Sequence, residues 1–113
     1  GLIENETQPF LNNTDHLAFS KELFQQHALV FKNLASSRMT LKSYKRDHAL
    51  QMAYQGFTYL GLWAAKNADF VCLEPWCGIA DGVGANQQLV DKEGINKLEP
   101  AETFTRTWAV ALF

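Results

Sequence analysis

Short segments rich in β-forming residues, each followed by a polar turn, constrain the fold of this chain more than any other feature. They follow one another closely as "ALVF" (residues 28–31), "RMTLKS" (38–43), "ALQMAY" (49–54), "TYLGLW" (58–63) and "FVCLE" (70–74). Strands of this length and spacing are typical of β-sandwiches and barrels. Before them, Ser20 and the helix formers of "SKELFQQ" (20–26) predict a short helical turn. The chain is therefore predicted to be all-β.

Alternation along the segments predicts which side chains share a face. In "ALQMAY", Leu50, Met52 and Tyr54 fall on one face, the two-residue period of a half-buried strand. The run "ETFTRTWAVALF" (102–113) repeats that period and predicts a last strand. Arg106 falls on its apolar face, so we expect it at the solvent-exposed end of the strand.

Two polar stretches are predicted to connect strands. "YKRDH" (44–48) has the composition of an exposed hairpin turn. "GIADGVGANQQLVDKEG" (78–94) is glycine-rich and polar, which predicts a long loop before the last strand.

Composition excludes several classes of partner. The net charge of −2 and the pI near 5.9 give no basic surface for nucleic acid or an anionic membrane. No apolar run approaches the roughly 20 residues of a membrane span, and the N-terminus has no signal-peptide pattern, so we expect a cytoplasmic protein. Cys72, Cys77 and three scattered histidines show no zinc-ligand spacing. We expect reduced thiols, with Cys72 in the core, and no metal.

The N-terminal sequence suggests part of a larger unit. The chain begins at Gly1 and enters an irregular stretch, "TQPFLNNTDH" (7–16). We expect residues 1–113 to be a fragment of a longer protein. Such a portion would expose sheet faces and edges, which the remainder of the domain or a second copy of the chain would cover.

The stretch "FVCLEPWCGIAD" (70–81) places a carboxylate in line with core positions. Cys72 and Glu74 share one face of the predicted strand, and Leu73 points to the other. Pro75 cannot donate a ladder hydrogen bond, so we expect the strand to end there and Glu74 to lie partly desolvated at the sheet rim. Two interpretations are open: a rim carboxylate paired with a nearby lysine or arginine, or a group that exchanges protons with a ligand.

An ordered series of motifs resembles a known family. "LGLW" (60–63), "CLEPW" (72–76), "GIAD" (78–81), "KEG" (92–94) and "LEPAETF" (98–104) are similar to the C-terminal portion of the aldose 1-epimerase (galactose mutarotase) family, in its lactose-operon-associated, mutarotase-like branch. The likeness extends from about Leu23 to the C-terminus. It implies an antiparallel β-supersandwich that binds a sugar in an open cleft on one sheet.

The resemblance also implies a reaction, the interconversion of the α and β anomers of a free hexose. Glu74 occupies the family's glutamate position and would act as general base in ring opening and general acid in ring closure. Both steps are proton transfers, so no cofactor is expected. The family's catalytic histidines would precede Gly1, and His16, His27 and His48 do not lie in the motif that carries them. We therefore expect the isolated segment to have little or no activity.

Two further residues are candidates for substrate binding. Pro75 and Trp76 stand where galactose-specific members have Thr and Gln. Trp76 would either stack on a sugar face or pack at the rim. His27 falls near the position of a sugar-binding aspartate of the family.

Two other functions are alternatives to the epimerase. A non-catalytic carbohydrate-binding module of the same fold would keep the sugar site without turnover. A hexose 6-phosphate epimerase would need converging basic residues, and Arg38, Arg46 and Arg106 are widely spaced.

Overall fold

The computed structural model describes residues 2–4 and 13–113, and this part of the chain is all-β, as predicted. Residues 7–12 of the predicted irregular stretch lie outside the described residues. The strands are β1 (Leu29–Lys32), β2 (Arg38–Lys42), β3 (Ala49–Ala53), β4 (Tyr59–Trp63), β5 (Cys72–Trp76) and β6 (Ala109–Leu112). Short 3₁₀ helices span Glu22–Phe24 and Leu89–Asp91.

The strands form two antiparallel three-stranded sheets. Sheet I has the order β1-β4-β5, and sheet II has the order β2-β3-β6. Two small antiparallel sheets with almost no helix are consistent with a fragment of a β-sandwich. No helix in the described part of the chain has the length and apolar character needed to cross a bilayer.

The core lies between the two sheets. Leu60 and Leu62 of β4 are each 3% exposed, and they cluster with Met52 of β3, Tyr54 and Phe24. Leu29, Phe31 and Leu73 pack against this cluster from the neighbouring strands of sheet I. One face of sheet I is therefore apolar and buried, and alternation directs the remaining side chains to the opposite face.

Local hydrogen bonds explain the predicted turns. The hydroxyl of Ser20 accepts the backbone N–H of Leu23 at 3.3 Å, which fixes the first 3₁₀ helix. In the β2–β3 hairpin, the hydroxyl of Ser43 accepts the N–H groups of Lys45 and Arg46, both at 3.2 Å. Both the short helical turn and the exposed hairpin are confirmed.

The prediction that β5 ends before Pro75 is wrong. The strand runs from Cys72 through Pro75 to Trp76, with Leu60 opposite Pro75 and Tyr59 opposite Trp76. β5 is an edge strand of sheet I, where a missing N–H that faces away from the neighbouring strand costs no ladder bond. Glu74 consequently lies inside the strand and not at its end.

The long C-terminal strand is also a wrong prediction, because β6 comprises only Ala109–Leu112. Upstream, Arg106 Nε donates to the carbonyl of Gly56 at 2.8 Å, and the guanidinium lies 4.3 Å from the ring centroid of Phe104. These contacts hold the segment against the turn between β3 and β4 instead of extending a ladder. Arg106 is exposed, as expected, but it lies outside the strand.

Cys72 is not a core residue. It is partly buried and pairs with Trp63, so it belongs to the face of sheet I opposite the core. The sequence predicted that Cys72 shares a face of β5 with Glu74. The core lies against the other face, because Leu73 packs against the core cluster.

Truncation of Leu62 tests this core. Leu62→Ala should lower the free energy of unfolding by about 2–5 kcal/mol, because it removes buried apolar surface and leaves a cavity. Leu89→Ala is the matched control, since Leu89 is 70% exposed, and it should change stability by about 0.5 kcal/mol at most. Urea denaturation of both variants measures the difference, and equal losses would contradict the assigned core.

Candidate active site on the outer face of sheet I

The candidate site is the outer face of sheet I, the face opposite the core. In the register of β4 and β5, Tyr59 lies opposite Trp76, Gly61 opposite Glu74, and Trp63 opposite Cys72. The backbone thus brings the predicted residues Glu74 and Trp76 onto one surface with Tyr59, Gly61 and Trp63. Neighbours directly across or diagonal on such a face are close enough for aromatic side chains to meet.

Glu74 is hydrogen-bonded to an indole. Nε1 of Trp63 donates to Oε1 of Glu74 at 2.6 Å, and both side chains are partly buried. Among the described residues, no lysine, arginine or histidine forms an ion pair with Glu74. The interpretation of Glu74 as a rim carboxylate paired with a basic side chain is therefore wrong for this part of the chain. Within the described residues, the hydrogen-bond partner of Glu74 is a neutral donor and not a cation.

The indole of Trp63 is itself supported by an aromatic contact. The ring of Phe70 meets it edge-on, with 5.9 Å between centroids and an interplanar angle of 86°. Edge-to-face packing of this kind restrains ring orientation. It holds the donor in place toward Glu74.

Trp76 lies over the glycine that faces Glu74. A Cβ added to Gly61 would be 2.6 Å from Cζ2 of Trp76, closer than real contacts allow. The position directly across from Glu74 therefore has no side chain, and the indole of Trp76 occupies that space. Trp76 packs against the sheet, as one of its two predicted roles requires, and it remains partly exposed.

The "KEG" turn is bound to the far end of this face. Nζ of Lys32 lies 2.7 Å from Oε1 of Glu93, and the Tyr59 hydroxyl donates to the same oxygen at 3.4 Å. Gly94 has a φ of +71°, and a Cβ there would be 2.8 Å from the Tyr59 ring. Sequence reasoning missed this cluster, although the glycine after Lys92 and Glu93 was a signal for a tight approach.

Two further side-chain contacts hold the long loop. Nζ of Lys92 lies 3.0 Å from Oδ1 of Asp81. The side-chain amide of Asn96 donates to the carbonyl of Cys77 at 2.7 Å. The predicted loop is confirmed, and these contacts attach it to the end of β5.

Burial raises the pKa of the Tyr59 phenol above its usual value, and the negative charge of Glu93 adds to the rise. The Lys32 ammonium acts in the opposite direction, and the hydrogen bond to Glu93 again favours the neutral phenol. Tyr59 is therefore a neutral donor to Glu93 at physiological pH.

No hydrogen bond or ion pair joins a histidine of the described chain to Glu74. His27 is exposed and precedes β1, and no contact in the described part of the chain joins it to Glu74. His16 and His48 are also exposed. The substrate-binding role of His27 stays a prediction.

Two cavities in the described part of the chain are lined by residues other than Glu74. One open cavity of about 560 Å³ is lined by Leu50, Leu112 and Phe113 among others. A smaller one of about 200 Å³ is lined by residues that include Tyr54 and Tyr59. Neither cavity is lined by Glu74, although Tyr59 of the outer face lines the smaller one. Within residues 2–4 and 13–113, no group of histidine, cysteine and carboxylate side chains is arranged to hold a metal ion.

Comparisons with known proteins identify two relatives. The chain is 30% identical over 114 aligned residues to the chromosomal and the plasmid LacX proteins of Lactococcus lactis subsp. lactis. The alignments cover 99% of this chain and 38% of each relative. No protein-family model and no solved structure matches the chain.

Gly61→Ala tests the seat of Trp76. The new methyl group would overlap the indole and displace it, with a loss of about 1–3 kcal/mol in stability and a shifted tryptophan fluorescence. Gly78→Ala is the control, because a Cβ there meets only a carbonyl oxygen at 3.7 Å. Indistinguishable fluorescence and stability in the two variants would show that Trp76 does not lie on Gly61.

Alkaline titration tests the surroundings of Tyr59. The folded state holds the phenol proton more tightly than the unfolded state, so stability should fall as pH rises above the ordinary pKa of 10.0. Phenolate absorbance should show one late-titrating tyrosine that Tyr59→Phe removes. If the variant loses stability as steeply as the parent at alkaline pH, the assignment to Tyr59 is wrong.

Proposed function

We propose that the outer face of sheet I binds a carbohydrate and that Glu74 exchanges a proton with it in an aldose 1-epimerase-like reaction. The similarity to LacX proteins supports a carbohydrate-related role, and the resemblance of the ordered sequence motifs to the mutarotase-like branch supports the reaction. The observation that carries the proposal is a half-buried carboxylate without a cationic partner in the described chain, bonded to one indole and adjacent along the strand to another.

The proposed chemistry needs a base of this kind. The Glu74 carboxylate takes the proton of the anomeric hydroxyl, the new carbonyl forms, and the bond from C1 to the ring oxygen breaks. An acid protonates the ring oxygen as the electron pair reaches it. After rotation about the C1–C2 bond, the conjugate base of that acid takes the proton back from the hydroxyl oxygen as it attacks C1, and protonated Glu74 returns its proton to the carbonyl oxygen as the ring closes on the other face.

The surroundings of Glu74 suit a sugar. The C–H faces of a pyranose are apolar, while its hydroxyl groups are donors and acceptors. Partly exposed indoles beside a carboxylate supply both kinds of surface, with the rings contacting C–H groups and the carboxylate accepting a hydroxyl. This is the sugar-stacking role that we propose for Trp76, in addition to its packing on Gly61.

A second candidate is a carbohydrate-binding module without turnover. It is favoured by the position of the histidines, since none of those in the described chain contacts Glu74 to serve as the ring-oxygen acid. Both candidates use the same surface and differ only in whether an acid is present opposite Glu74.

The acid and further sugar contacts belong to the proposal for the whole protein. The chain spans 38% of the length of the LacX relatives. We propose that residues 1–113 are the C-terminal portion of one mutarotase-like domain, completed by further polypeptide or a second copy. The free-hexose substrate is part of this proposal, and the cytoplasmic location expected from the sequence stays a prediction.

Glu74→Gln tests the proposal because it removes the base and keeps the size of the side chain. Relaxation of the optical rotation of freshly dissolved α-glucose or α-galactose measures turnover by the chain together with the polypeptide that completes the domain, and calorimetry measures binding. The rate enhancement should fall by about 10²-fold or more, while the sugar affinity changes by only about threefold. Glu99→Gln removes an exposed carboxylate outside sheet I and is the matched control.

Each outcome distinguishes the candidates. Catalysis that Glu74→Gln abolishes supports the epimerase. Sugar binding without any acceleration, weakened by substitution of Trp76, supports the module for this chain. A chain that neither binds the sugars nor accelerates their mutarotation would contradict both.

A further inference from the structure

We infer that Trp63 is the positioning residue of Glu74, fixing Oε1 so that Oε2 is the oxygen that meets the sugar. The inference rests on the proposed function and adds to it a residue that the sequence motifs gave no role. Its starting point is the 2.6 Å contact between Nε1 of Trp63 and Oε1 of Glu74. This is a short hydrogen bond for an N–H donor.

The two carboxylate oxygens have different surroundings. Oε1 accepts the indole N–H, whereas no donor in residues 2–4 and 13–113 reaches Oε2. An oxygen already engaged in a short hydrogen bond is a poorer acceptor for a second proton. The asymmetry therefore assigns proton exchange to Oε2.

An indole suits this role because its N–H can only donate. Unlike a hydroxyl or an imidazole, it cannot take the proton from Glu74 or compete as an acceptor. Unlike a lysine or arginine, it adds no full charge that would hold the carboxylate in a permanent ion pair. Trp63 can therefore fix the orientation of Glu74 through both halves of the reaction.

The donor is held by the fold and not by the ligand. Trp63 is the last residue of β4, paired with Cys72 of β5, and its ring is packed edge-on against Phe70. Glu74 lies two residues further along β5, which makes the pair diagonal neighbours across two strands. The contact is thus made entirely by groups of the fold, which is what preorganisation of a catalytic group requires.

The first test is spectroscopic and independent of activity. The chain has three tryptophans, so a ¹⁵N-labelled sample should give three indole N–H resonances, with that of Trp63 shifted downfield and slowest to exchange with solvent. Glu74→Gln, which leaves Trp63 in place, should move this resonance by more than either of the others. An unmoved Trp63 resonance would overturn the inference, even if Trp63→Phe failed to fold.

The second test asks whether the bond matters for function. Trp63→Phe keeps the aromatic packing and deletes the donor, and it should lower kcat by about tenfold with KM changed less than about threefold. Trp108→Phe is the control, since Trp108 is 57% exposed and lies outside sheet I. Its kinetic constants should match those of the parent.

The outcomes separate this inference from the proposed function. If Glu74→Gln abolishes turnover and folded Trp63→Phe retains it in full, the positioning role is wrong and the function of Glu74 stands. If Glu74→Gln changes neither turnover nor sugar binding, the proposed function and the role of Trp63 within it both fail, even with the hydrogen bond present. Loss of turnover in both variants, with the Trp63 resonance moved in Glu74→Gln, supports the inference.

Discussion

The strict alternation of side chains along β4 is the constraint on which the rest of this structure depends. Leu60 and Leu62 point into the core and are almost fully buried, which forces Gly61 and Trp63 onto the opposite face. A slip of one residue in the pairing with β5 would exchange the two faces and bury Glu74 among leucines. The cost of that burial fixes the register, and the register places Trp63 diagonal to Glu74. Core packing and the candidate site are therefore two results of one strand pairing.

The sequence was sufficient for most strand positions and for the alternation along each strand, and it fell short where distant segments meet. The alternation correctly put Leu73 and Glu74 on opposite faces of β5, but it assigned the core to the face of Cys72 and Glu74, whereas Leu73 packs against the core. Whether Pro75 interrupts a ladder depends on the strand being at an edge, which only the assembled sheet reveals. The C-terminal run had a strand pattern, but Arg106 is anchored to the turn at Gly56, far away in sequence. The bond from Trp63 to Glu74 likewise requires the cross-strand register, although a glycine between two leucines in "LGLW" was a signal that something large lies above it.

The described chain contains part of a candidate site, and the whole chain aligns with only 38% of each LacX protein. The outer face of sheet I holds a carboxylate whose only bonded partner in the described chain is an indole, a second indole on a glycine seat, and a loop attached through Glu93 to Tyr59 and Lys32. In the proposed reaction, Glu74 supplies the half of an acid–base pair that accepts the anomeric proton. The LacX proteins are longer than this chain, and the proposed acid and the remaining sugar contacts would come from polypeptide beyond this sheet. Trp63 links the fold to the candidate site, because it is the last residue of β4 and its indole donates a hydrogen bond to Glu74.

Mapping sugar contacts by NMR tests the central claim most directly. Glucose or galactose would be titrated into the ¹⁵N-labelled chain while amide and indole resonances are followed. The account predicts saturable shifts at the Trp63 and Trp76 indoles and at the amides around Glu74, with Leu112 and Phe113 unaffected. Shifts confined to the cavity at Leu112 and Phe113, or none at the outer face of sheet I up to saturating sugar, would contradict it.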